Sequence, residues 1–331
     1  MPSAHLPDFV VDPALEADLT SGLELVEKAL RDAVRSDYPF VTEASRHLVD
    51  AGGKRFRPLL VLLAAQFGDP GAPDVIPAAV VVELTHLATL YHDDVMDEAT
   101  LRRGAASANA RWDNTVAILT GDFLFARASD ILADLGPEAV RIQAQTFERL
   151  CTGQIRETVG PDDGVPAVDH HLRVLADKTG SLIATSGRFG AMMAGADPDV
   201  VRTMTAFGEA IGIAFQLADD IVDITSDSDE SGKTPGTDLR EGVPTLAMLY
   251  ALSDADPSNA RLRELLGRPL PDDVEHAEAL ALLRAHPALE DAREEARRWS
   301  ARARNELDAL PDIPARKALE GLCDYVVNRT G

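Results

Sequence analysis

Two short acidic runs have the residue types and spacing to do chemistry: His92-Asp93-Asp94-Val95-Met96-Asp97 and Ala218-Asp219-Asp220-Ile221-Val222-Asp223. Both read Asp-Asp-x-x-Asp, and their first aspartates stand 126 positions apart. A helix advances about 100° per residue, so positions i, i+1 and i+4 share an arc of ~100° and each run projects three carboxylates from one face. Like charges held that close repel unless cations neutralise them. Oxygen-only donors select hard ions, and Mg²⁺ is the usual one where it also bridges substrate phosphates. One run alone would read equally well as a solvated face of an acidic chain. Two runs shift the balance, because each ends an apolar stretch, Val80 to Leu90 and Ala210 to Leu217, and carboxylates at the inner end of a core helix need metal or cationic partners. A weak internal repeat reinforces the pairing: Glu83 and Glu209 each stand ten residues before the first aspartate of a run.

The basic residues are few and suitably placed. Gly52-Gly53-Lys54-Arg55-Phe56-Arg57-Pro58 sets three cations beside a glycine pair that lets backbone approach an anion. Arg102-Arg103-Gly104 begins five residues after Asp97, and Lys178-Thr179-Gly180 and Gly232-Lys233 hold two of only five lysines in the chain. Any one of these reads as surface charge. Together with two acidic trios they suit two anionic phosphate groups and several Mg²⁺ ions.

In this order the motifs resemble those of the trans-isoprenyl diphosphate synthases, the family of farnesyl, geranylgeranyl and longer polyprenyl diphosphate synthases. The resemblance runs from Gly52 to Pro58 through the first Asp trio with Arg102-Arg103, Gly153-Gln154, Lys178-Thr179, Phe215-Gln216 with the second trio, Gly232-Lys233 to Asp238-Leu239, and Tyr325 to Arg329. It implies an all-α, single-domain helical bundle around a deep central cavity, with the two trios facing each other across its mouth. Three Mg²⁺ ions, held by Asp93, Asp94 and Asp97 with Asp219, Asp220 and Asp223, would bridge to an allylic diphosphate. Arg102, Lys178 and Lys233 would hold that diphosphate, and Lys54, Arg57, His86 and Arg103 would hold isopentenyl diphosphate. Thr179 and Gln216 would flank the reacting carbons. The resemblance also implies a homodimer, and transient membrane contact when product leaves.

The residue types suit that reaction. Ionising a C–O bond to an allylic cation and diphosphate needs the leaving charge stabilised, which metal ions, Arg and Lys supply. No protein nucleophile is needed, and a dry apolar cavity protects the cation from water. One departure is Val243-Pro244 after Glu241-Gly242, where the family often has Lys. Three competing assignments are weaker. An HD-type phosphohydrolase fails because His86 and His92 lie about 240° apart on a helix. A class I terpene cyclase lacks the Gly-Gly-Lys-x-x-Arg-Pro segment, and a non-catalytic subunit would not need both trios intact.

The elements that must position these residues are helices. The chain has 331 residues, 45% of them apolar and 5% aromatic, with Ala and Leu recurring in long runs. Helical periods are expected over 13–35, 38–51, 56–67, 74–97, 113–134, 137–158, 168–177, 179–194, 198–225, 243–254, 258–266, 272–285, 287–309 and 312–328. Residues 1–12 are expected to be a flexible N-terminus, 13–331 the catalytic domain, and Ser226 to Gly242 a long functional loop. A net charge of −23 excludes nonspecific nucleic-acid binding. Cys151 and Cys323 are expected to be buried, unpaired thiols. No secretory leader and no run of ~18 uncharged apolar residues is seen, so a cytoplasmic chain is expected. Thr85, Thr89, Asp93 and Asp97 form one column, along which a growing tail would run. Ala88 and Thr89 are small where short-chain members often carry an aromatic, which predicts a long-chain product, with Phe123 and Phe125 as candidate floors elsewhere.

Overall fold

The structure is a computed structural model that describes residues 8–226 and 235–329. The chain is all-α, as its Ala- and Leu-rich pattern requires. The helices are α1 (Pro13–Ala33), α2 (Pro39–Asp50), α3 (Phe56–Ala65), α4 (Val75–Met96), α5 (Ala108–Arg111), α6 (Asn114–Leu135), α7 (Pro137–Val159), α8 (Ala167–Leu175), α9 (Ser181–Met193), α10 (Pro198–Thr225), α11 (Thr237–Glu241), α12 (Leu246–Ser253), α13 (Ala260–Leu266), α14 (Asp273–Ala285), α15 (Ala288–Glu306) and α16 (Pro314–Asn328). Side-chain caps set several starts. Asp12 accepts from the N–H groups of Ala14 and Leu15 ahead of α1, and Asp113 from Val116 ahead of α6.

Two features depart from the expected periods. Leu101–Arg102 (β1) and Ala105–Ala106 (β2) pair antiparallel, the one sheet among the described residues, with positive φ at both Arg103 and Gly104. That is the type I′ turn a two-residue hairpin favours, and it fixes where Arg102 and Arg103 project. The second is a π-helical turn, Ala176–Gly180, that joins α8 to α9 where a break was expected. Within the expected loop at 226–242, residues 227–234 lie outside the described part and Thr237–Glu241 is helical.

The chain divides into two compact units. The first comprises Met1–Glu148, Leu182–Gly208 and Ala309–Leu319, and the second Arg149–Ser181, Glu209–Asp308 and Glu320–Gly331. In the first, α4 packs against α1, α3 and α6 and is buried on most of its circumference. Among the described residues α4 is the one helix long and apolar enough to cross a membrane, but most of it lies inside the protein. Phe9 and Val10 are buried too. In the second unit, Ile213, Leu217, Ile221 and Ile224 of α10 form a core with Leu246, Met248, Leu262 and Leu289 from α12, α13 and α15. Cys323 is buried there as expected, whereas Cys151 is exposed on α7, a correction that follows from its place on the outer face of that helix with exposed Glu148 and Ile155.

Candidate active site

Both acidic trios lie near the C-terminal end of a long helix. Asp93 and Asp94 end α4 with Asp97 as its C-terminal cap, and Asp219, Asp220 and Asp223 lie in the final turns of α10. The negative end of a helix dipole disfavours carboxylates, so this placement adds to their need for cations. Asp94 is fully buried. Its Oδ1 accepts from Arg102 Nε at 2.6 Å while its Oδ2 is buried without a hydrogen-bond partner. Burial pushes the Asp94 carboxyl up, and Arg102 opposes it. Asp97 is exposed, 3.9 Å from Arg102, and Asp93 is half-buried. Arg102, expected on the allylic diphosphate, is thus the internal counter-ion of the first trio.

The residues expected around isopentenyl diphosphate gather in the first unit. Gly52 and Gly53 have φ of 83° and 146°, and a Cβ on Gly53 would lie 2.9 Å from the Arg103 guanidinium. The glycine pair therefore admits Arg103 as well as leaving backbone open. Arg103 also donates to the carbonyls of Leu48 (3.2 Å) and Gly52. Lys54 is exposed and Arg57 half-buried. His86 is held well below its ordinary value by burial and then by Arg57, Arg103, Arg55 and Arg102, so it is a neutral imidazole among cations. In the sequence Arg55 stands out only as one of three basic residues of its segment. It is buried and bound to Glu27 and Glu83, and no local periodicity marks it out.

Ala88 is fully buried and Thr89 half-buried, with Thr89 Oγ1 donating to the His86 carbonyl. One turn below, Gln143 Nε2 donates to Thr85 Oγ1 at 2.7 Å. Phe125 sits 4.3 Å from Phe147 and 5.9 Å from His92, ring centre to ring centre, on a groove of about 410 Å³ that Ala128, Leu132 and Gln143 also line. Ala88, Thr89 and Phe123 do not line it.

In the second unit the structure brings Thr179, Gln216 and Asp220 into one chain: Thr179 Oγ1 donates to Gln216 Oε1 (3.1 Å), and Gln216 Nε2 to Asp220 Oδ1 (2.9 Å). Lys178 and Thr179 ride on the π-helical turn, a distortion common at functional sites. The turn fits because α7 has Gly153 there, where a Cβ would meet the Lys178 backbone nitrogen at 2.7 Å. Lys178 Nζ is tied to Glu157 at 2.5 Å. Asp220 is pushed well above its ordinary value by burial and by Asp238, Asp219 and Asp223, against the Gln216 hydrogen bond. Asp238, whose backbone N–H donates to Asp223 Oδ2 at 3.3 Å, is pushed up to about 7 by burial and by Asp223, Glu241 and Glu157. It joins the acidic cluster from a segment that the resemblance includes as Asp238-Leu239 but for which the sequence suggests no role. His171 Nε2 stands 3.9 Å from Asp220, and burial holds that ring down to about 4. Arg329 donates to Asp219 at 2.5 Å and covers the Phe215 ring at 4.8 Å. Lys233 lies outside the described residues.

In each unit the carboxylates suit a hard divalent ion: Asp94 of the first keeps one buried oxygen without a partner, and in the second burial, then neighbouring carboxylates, push Asp220 and Asp238 toward protonation. Among the described residues no group of three His, Cys, Asp or Glu side chains is placed to hold a metal ion by itself.

A family model described as polyprenyl synthetase matches residues 38–283. The chain belongs to the polyprenyl synthetase family. It is similar to the nonaprenyl diphosphate synthase of Mycobacterium tuberculosis, 52% identical over 321 residues that cover 97% of this chain and 96% of that one. A geranylgeranyl pyrophosphate synthase from Corynebacterium glutamicum, solved with calcium and isoprenyl diphosphate, superposes with a TM-score of 0.87 at 48% identity over 97% of this chain and 99% of that one. A decaprenyl diphosphate synthase from Rhodobacter capsulatus gives 0.87 at 36% identity over 96% and 99%. The protein is accordingly a prenyltransferase with the isoprenoid synthase fold, from a family that is Mg²⁺-dependent in general.

Proposed function

We propose that this prenyltransferase condenses isopentenyl diphosphate head to tail with an allylic diphosphate, making a long all-trans polyprenyl diphosphate of the kind used for quinone side chains. The observation that carries it is the pairing of two acidic trios at helix C-termini with a separate basic cluster. One set holds ions for a leaving diphosphate and the other holds a second diphosphate.

Asp93, Asp94, Asp97, Asp219, Asp220 and Asp223 hold the Mg²⁺ ions, three in number. When bound, these ions stabilise the charge that develops on the departing diphosphate. Arg102, Lys178 and Lys233 hold the same group. For Arg102 and Lys178 that means exchanging Asp94 and Glu157 for phosphate oxygens. Thr179 and Gln216 direct oxygen dipoles at the allylic cation. Lys54, Arg57, neutral His86 and Arg103 hold isopentenyl diphosphate, whose double bond attacks the cation. The new bond leaves a tertiary cation that loses a proton to the departing diphosphate. Residues 13–331 act as one catalytic domain. The identity to a nonaprenyl synthase and the small residues Ala88 and Thr89 support a long product, while the geranylgeranyl synthase at 48% identity supports a shorter one as second reading. Exposed Ile118 and Leu119 on α6 and Val140 on α7 support a homodimer. We place the enzyme in the cytoplasm, touching membrane when its apolar product leaves.

Asp93→Ala and Asp219→Ala should each lower turnover at least about a hundredfold with the melting temperature retained, because each removes a charge-bearing ligand and not a packing group. Unchanged turnover of both variants at limiting Mg²⁺ would contradict the metal assignment.

A further inference from the structure

We propose that Arg55 is a positioning residue for isopentenyl diphosphate: it does not touch the ligand but locks the backbone from which Lys54 and Arg57 reach it. This rests on the assignment of Lys54 and Arg57 to that substrate. Arg55 is 3% exposed, whereas Lys54 beside it is exposed and Arg57 half-buried, so the segment alternates an outward cation with an inward one. Its backbone is left-handed, with φ 47° and ψ 37°, a conformation that residues with long side chains seldom adopt unless their surroundings over-determine it.

The surroundings here do so. The guanidinium donates to Glu27 of α1, to Glu83 Oε1 of α4 at 2.7 Å and to the Val49 carbonyl of α2 at 2.9 Å. Three acceptors on three helices are each met by a different nitrogen of the planar fork, whereas an ammonium would have to reach all three from one atom. Glu83 is 2% exposed and also lies 3.8 Å from Arg103. Without Arg55, buried Glu83 would keep, among the described residues, Arg103 as its counter-ion and draw it inward, away from a phosphate. The glutamate ten residues before the first acidic trio thus acquires a function: it ties the basic segment to the helix that carries the trio.

Steady-state kinetics of Arg55→Met, Arg55→Lys, Glu27→Gln and Lys54→Ala test this. Both Arg55 variants should raise the KM for isopentenyl diphosphate about tenfold or more, with the KM for the allylic substrate within about twofold. Glu27→Gln, at a half-buried position, should raise the same KM a few-fold at an unchanged melting temperature, and it decides the matter should the Arg55 variants fail to fold. A wild-type KM in Arg55→Lys would show that charge alone matters, and equal rises for both substrates would show general loosening; either overturns the proposal. An unchanged KM in Glu27→Gln with wild-type behaviour or no fold in the Arg55 variants does the same. If Lys54→Ala raises the KM and the Arg55 variants do not, positioning alone fails. If Lys54→Ala has no effect, the substrate assignment fails and the proposal with it.

Discussion

Asp238 holds its proton up to about pH 7 in the metal-free protein, because burial and the carboxylates of Asp223, Glu241 and Glu157 outweigh Lys178. Unfolded, an aspartate titrates near about 4. Between these values the folded state binds the extra proton, so the stability this group contributes is complete below about pH 4 and is lost as pH rises through about 7. Asp238→Asn removes that dependence. Each pH unit between the unfolded and folded values is worth roughly 1.4 kcal/mol, so thermal melts without metal should show the variant more stable than the wild type at pH 8 by several degrees. The gap should close by about pH 4. A gap that is constant with pH would contradict the burial of this carboxyl. Residues such as Asp93 or Lys178 were legible in the sequence because their neighbours in the chain form the motif. Arg329 is marked there only as part of a terminal motif; its contact with Asp219 spans 110 residues and no local pattern reveals it.

At the scale of elements, the helices follow from apolar period and caps. The hairpin at Arg103 and the π-helical turn at Lys178 do not, since both depend on what packs against them. Gly153 is the clearest case. A side chain there would collide with the turn that carries Lys178, so Gly153→Ala should lower both the melting temperature and kcat, and X-ray analysis should find Lys178 displaced. An active, equally stable variant would show that the close approach is slack. The column on α4 makes a separate prediction. Thr89→Phe and Ala88→Phe should shorten the product while sparing the first condensation, because both lie below the first trio. Ala88 is fully buried, so its replacement should also cost about 1–3 kcal/mol in stability, and Thr89→Phe, starting from a half-exposed site, should cost less. Product chromatography and thermal melts together separate the two effects. If both variants make wild-type lengths, the tail does not pass this face.

For the whole molecule, a chain of net charge −23 that binds two diphosphates must concentrate positive charge locally. The first unit does so with Lys54, Arg57, Arg102 and Arg103, anchored from within by Arg55, and the second with Lys178 and Arg329. Fold class and most of the candidate site were legible because ordered motifs recur along the chain. The partners of the counter-ions Glu83, Glu27 and Glu157 were not, because a glutamate in an acidic chain carries no mark of what it will face. The account is tested most directly by incubating the purified full chain with Mg²⁺, labelled isopentenyl diphosphate and farnesyl diphosphate, and resolving the products by length. It predicts a Mg²⁺-dependent ladder ending well beyond the twenty-carbon product of a single further condensation on that primer. No incorporation of label would contradict the two-diphosphate reaction, and a product that stops at twenty carbons would contradict the long-chain assignment.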